Sequence, residues 1–125
     1  KLIVQKPIFG YGAATFPLFI VFENIQHAHN LPIQIAFDYG IPSSLILSFF
    51  VSILFFKFSL LVLRSKFDDI YSFSNKCWLA SFSIMIFSHM TDITYYDGKI
   101  SILIWTLLAG IKSILNEENE NKYLR

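Results

Sequence analysis

Hydrophobic and polar positions divide the chain into a mixed leading stretch, residues 1–42, and a strongly apolar remainder, residues 43–115. From Ser43 to Leu63 the only charge is Lys57, and a run of this length crosses about 30 Å of hydrocarbon at about 1.5 Å per residue. Lys57 lies close enough to the far end to reach the interface. A second apolar run, centred on the residues after Trp78, predicts a helix over 74–93. A third, with Trp105 inside it and Lys112 near its end, predicts a helix over 100–115. Residues 116–125 are rich in Asn and Glu and read as a solvated, frayed tail. Within the leading stretch the spacing predicts one short helix over 31–39. Asn30 is a good N-cap, Pro32 falls in the first turn where its missing N–H costs nothing, and Gly40 suits the left-handed C-terminal stop, with Pro42 beyond it. On that helix Gln34 and Asp38 share a face, leaving Ile33, Ala36 and Phe37 to sink into apolar surroundings. The expected fold is all-α: a polytopic helical membrane protein fragment with three spans, preceded by an extracytoplasmic loop with its short helix.

Composition supports a membrane setting. Of 125 residues 54% are hydrophobic and 15% charged, and fourteen Phe are hard to hide inside a soluble domain of this size. Net charge is +1 and the basic residues form no stripe, so nucleic acid is excluded as an expected partner. Cys77 is the lone cysteine, which rules out an intrachain disulfide; it reads as a small apolar residue at a helix start. Arg64, Lys66 and Lys76 flank the loop after the first span and place it on the cytoplasmic side. The segment before Ser43 and the turn around Asp97-Gly98 then face outward, with Tyr95 and Tyr96 in an interfacial belt. The chain opens with Lys1 and shows no secretory leader, and we expect it to be the C-terminal part of a longer polypeptide.

The candidate chemistry lies where ionisable groups meet the apolar run. His27 and His29 point the same way on an extended segment and about 200° apart on a helix, so a shared role requires extended backbone before Asn30. His89 and Asp92 are three apart near the outer end of the second span, where ionisable groups carry a functional expectation, and each is the other's natural partner. Gly10-Tyr11-Gly12 implies a tight turn or close backbone approach, either a loop packing on the membrane surface or N–H groups facing a phosphate. Glu23, His27 and His29 offer the donor types of an open zinc or copper site, but no fourth ligand has motif spacing.

His29-Asn30, nine residues, then Gly40-Ile41-Pro42-Ser43 resembles the signature of the O-antigen ligase and polymerase family, bacterial inner-membrane glycosyltransferases of the GT-C type. Pro7-Ile8-Phe9-Gly10-Tyr11-Gly12, with Phe16 further on, is similar to the segment that precedes the histidine there. Ser43 stands where the family usually has glycine. The likeness runs from about Lys6 to about Leu115.

The resemblance implies membership in lipopolysaccharide biosynthesis: transfer or polymerisation of an undecaprenyl-pyrophosphate-linked glycan onto an acceptor glycan or lipid A-core, on the periplasmic face of the inner membrane and without a metal or other cofactor. His29, with His27 beside it, is the candidate catalytic residue. An imidazole, with an ordinary pKa of about 6.5, accepts a proton from a sugar hydroxyl at neutral pH. Asn30, Gln34, Lys6, His89 and Asp92 are the candidate substrate-binding residues, and Gly10, Gly12, Gly40 and Ser43 the structural positions of the motif. A pyrophosphate leaving group needs cations aimed at it, yet the only arginines, Arg64 and Arg125, fall on the cytoplasmic side. The fragment is therefore expected to be inactive alone. Two other readings stand beside this one: a non-catalytic membrane subunit, and a metal- or proton-coupled transporter fragment using His27, His29, His89 and Asp92.

Overall fold

The computed structural model describes residues 2–19, 27–64, 70–92 and 97–123. Glu23, the 65–69 loop, Tyr95, Tyr96, Lys1 and Arg125 lie outside them. The described residues are all helical or loop: α1 (Leu2–Gln5), α2 (Phe16–Phe19), α3 (Leu31–Tyr39), α4 (Ile41–Arg64), α5 (Ile70–Thr91) and α6 (Gly98–Tyr123). Among the described residues two helices, Ile41–Arg64 and Gly98–Glu120, are long and apolar enough to cross a membrane.

Helices α4, α5 and α6 pack on one another around Leu54, Phe58 and Val62, Phe82, and Ile104, Leu108 and Ile111. The α4 and α6 positions recur at three- and four-residue spacing, which stacks them on one stripe of each helix. Phe58, Phe82 and Ile111 are completely buried. Gly110 allows close approach on the α6 side: a Cβ there would sit 2.5 Å from the indole of Trp78.

The helix limits differ from the sequence expectation at both ends of the long elements. Helix α4 starts at Ile41 rather than Ser43, because Pro42 fits its first turn and so opens this helix as well as blocking α3. Helix α5 begins at Ile70 instead of 74 and ends at Thr91. Its polar first turns, Ser72 to Lys76, contain neither Gly nor Pro to stop a helix. Cys77 accordingly lies inside α5, exposed, and not at its start. The expected frayed tail is helical to Tyr123, since Glu117, Glu118 and Glu120 are good helix formers on a helix already nucleated. Asp97 caps α6 instead of merely marking a turn: its Oδ1 accepts from the Lys99 and Ile100 N–H groups at 2.8 and 3.4 Å.

Helix α3 starts and stops where the pattern places it, and each of its last four carbonyls has a partner. Asn30 is extended (φ −154°, ψ 115°) and its side-chain oxygen accepts from Ile33 N at 3.1 Å. The last four carbonyls of a helix have no partner within it. Here Ala36 O accepts from Gly40 N, Phe37 O from Tyr11 N, Asp38 O from Gly12 N, and Tyr39 O from the Ser43 hydroxyl. Gly40 has φ +89° but ψ 164°, a glycine conformation outside the left-handed helical one expected of it. The carbonyl of Gly40 receives Ser44 N, so this residue closes α3 and opens α4.

Candidate functional site

The leading loop serves α3. Gly10 N donates to Lys6 O, and the Tyr11 and Gly12 N–H groups donate to α3 carbonyls at 2.8 and 2.9 Å. Those donors are thus committed to the helix end, which removes the phosphate reading of the Gly-Tyr-Gly segment. Gly10 (φ +67°) lies so close to α3 that a Cβ would meet Phe37 O at 2.5 Å, and a Cβ on Gly40 would collide with Ile8 O. The two glycines of the sequence pattern hold one contact from opposite sides. Phe37 anchors the same contact through aromatic neighbours: Tyr11 stacks on it at 4.9 Å and Phe16 meets it edge-on at 5.0 Å. Lys6, a candidate substrate-binding residue, instead places its ammonium 5.0 Å from the centroid of the Tyr11 ring.

Burial on α3 reverses part of the sequence expectation. Ile33 is exposed, whereas Gln34 and Asp38 are 2% and 1% exposed. The amide Nε2 of Gln34 donates to both Asp38 oxygens at 3.0 Å, and its Oε1 accepts from Ala28 N at 2.9 Å. A polar pair at these positions survives burial because its hydrogen bonds are made internally. Gln34 therefore fixes the backbone just before the His-Asn pair and is not presented to a ligand.

That backbone is not extended as the shared-role argument required. His29 has φ +50°, in the left-handed region that a non-glycine residue seldom adopts. The kink brings the rings of His27 and His29 edge to face at 4.5 Å. Nδ1 of His29 then faces Asp92 Oδ1 at 3.4 Å, with the two side chains 60% and 58% exposed. Asn30 fastens the same two segments, its Nδ2 donating to Met90 O at 3.2 Å. The start of α3 is thus tied to the end of α5.

His89 is not the partner of Asp92. It is buried, its Nδ1 donates to Met85 O at 2.8 Å, and its Nε2 is enclosed without a hydrogen-bond partner. Its ring lines an apolar cavity of about 390 Å³ between α4, α5 and α6 beneath the first turn of α3, together with Leu31, Phe55, Met90 and Trp105. Ser48 and Ser52 of α4 are the polar groups on the facing wall, and their four-residue spacing was the available sequence signal for it. Lys57 is exposed at the opposite end, in a second groove with Arg64, Lys112 and Glu118.

No family model, curated protein or solved structure matches the chain. The arrangement itself offers an exposed histidine beside a carboxylate, two residues along the chain from Leu31 and Met90, which line an apolar cavity. Such a pair can take a proton from an incoming hydroxyl while the cavity accommodates a hydrocarbon chain.

Proposed function

We propose that this chain is the C-terminal part of a bacterial inner-membrane glycosyltransferase that transfers or polymerises an undecaprenyl-pyrophosphate-linked glycan, built on a GT-C-like helical fold in which α5 is the third span. The exposed apolar side chains of α5, among them Ile84 and Phe87, suit a lipid-facing helix. The observation that carries the reading is the His29–Asp92 pair, Nδ1 to Oδ1 at 3.4 Å, each member two residues from a cavity-lining side chain, Leu31 and Met90. With Nδ1–H directed at the carboxylate, the lone pair of His29 lies on Nε2. That nitrogen takes the proton of the acceptor hydroxyl as its oxygen bonds to the anomeric carbon, and the bond to the pyrophosphate breaks with its electrons leaving on phosphate. The first isoprene units of the prenyl tail enter the cavity, the rest of the tail lying in lipid, and the His27 ring packs against His29 to hold its orientation.

The acceptor is a lipid A-core sugar in a ligase, another repeat unit in a polymerase, or a Ser or Thr in a protein oligosaccharyltransferase. Among the described residues the cations on the side of His29 are Lys6 and Lys99, and Lys6 already sits over Tyr11. The developing pyrophosphate charge requires arginines from a longer polypeptide. In that longer protein, His29→Ala is expected to lower glycan transfer by about 10²–10⁴-fold, the usual contribution of a general base, with membrane insertion unchanged. Transfer at the wild-type rate would remove His29 from catalysis.

A further inference from the structure

The geometry points to a binding site for a divalent transition metal ion of the zinc class formed by His27, His29 and Asp92. One ligand atom from each of the three lies within 4.8 Å of the others. The donors come from two segments far apart in sequence, brought together by the Asn30–Met90 hydrogen bond and the kink at His29. The 3.4 Å between His29 Nδ1 and Asp92 Oδ1 is long for a charge-assisted hydrogen bond, whose usual span is about 2.7–2.9 Å. It matches the ligand-to-ligand edge, about 3.3 Å, of a tetrahedron whose metal–ligand bonds are about 2.0–2.1 Å. His27 contributes an imidazole whose Nδ1 is committed to no hydrogen bond. The three ligand atoms have to draw closer than 4.8 Å to share an ion, and His27 sits in a short loop segment, not within a helix.

The donor set selects the ion. Two imidazoles and one carboxylate suit zinc, cobalt, nickel or copper, while magnesium and calcium favour all-oxygen shells. Three protein ligands leave a position for water, and the exposure of His29 and Asp92 makes the ion exchangeable with solvent. The bound ion cross-links the loop before α3 to the end of α5. This inference stands on the cluster alone and does not depend on the transfer reading. Where His29 is the base of the transfer reaction, the ion occupies the side chain that the reaction needs and acts as an inhibitor.

The test is zinc binding by the chelator-stripped protein in detergent micelles, followed by calorimetry, with cobalt absorption as a second readout. One ion per chain is expected. His27→Ala, His29→Ala and Asp92→Asn are each expected to weaken binding by at least about tenfold, the loss that even an outer-shell change at a metal site brings. Glu120→Gln, an exposed acid far from the cluster, is expected to leave it unchanged. Absence of binding, or equal binding in all variants, would overturn the site. A measurement on the unsubstituted protein removes dependence on variant folding: zinc is expected to protect His27 and His29 from diethylpyrocarbonate, and equal modification with and without zinc would also overturn it. Zinc that binds yet leaves glycan transfer untouched would uphold the metal site and count against His29 as the base.

Discussion

His29 carries an imidazole on a backbone conformation that suits glycine, and this separates its chemical role from its structural cost. His29→Ala and His29→Gly delete the same ring, but only glycine relieves the φ of +50°. The glycine variant is expected to be the more stable of the two by about 1 kcal/mol, the usual penalty for an L-residue in that region, while both lose transfer alike. Thermal unfolding in detergent checks this, and equal stability would mean the backbone relaxes freely. Its neighbour behaves in the opposite way. Asn30→Ala removes the cap of α3 and the bond to Met90, so it is expected to cost about 1 kcal/mol and to reduce activity only partially. Gly40→Ala introduces a Cβ against the Ile8 carbonyl at a φ of +89°, and the strain alone is expected to cost about 1–3 kcal/mol. A fully folded alanine variant with wild-type melting would refute the close-contact account.

At the scale of elements, Trp78 lies so close to Gly110 between α5 and α6 that a Cβ has no room there. Gly110→Ala is expected to destabilise by about 1–3 kcal/mol through overpacking, despite the better helix propensity of alanine. Adding Trp78→Leu should recover part of that loss in the double variant, and additive losses would place the strain elsewhere. The same elements show what a linear pattern conveys. Local chemistry was legible: the cap at Asn30, the stop at Gly40 and the apolar lengths of α4 and α6 follow from neighbours in sequence. Long-range pairing was not. Nothing near Asp92 indicates that it meets His29 and not His89, because that pairing depends on how α3 lies across the end of α5. Gln34 and Asp38 misled for a related reason: each looks like a surface residue, and hydrogen bonds that include their mutual pair permit burial. Helix α6 outran its apolar pattern because its polar end needs no core to continue a helix already under way.

At the scale of the molecule, many large apolar side chains of the described residues are exposed, Leu45, Phe49, Phe56, Phe87 and Leu103 among them. Lipid is the solvent that suits such a surface. If α4, α5 and α6 all cross, the start of α6 returns to the side of His29. A cysteine at Asp97 in a Cys77→Ser background is then expected to react with a membrane-impermeant thiol reagent from outside the cell, and one at Lys66 only after permeabilisation. Labelling of both from one side would leave α5 lying outside the bilayer. One further consequence belongs to this scale. The Pro7 carbonyl accepts from Ile41 N at 2.7 Å, so the loop that finishes α3 also receives the first N–H of α4. A single strap thereby braces the junction between two helices that both line the cavity. The part of the chamber built by α3 and α4 is consequently braced before any guest arrives, which lowers the cost of ordering the host around a hydrocarbon chain.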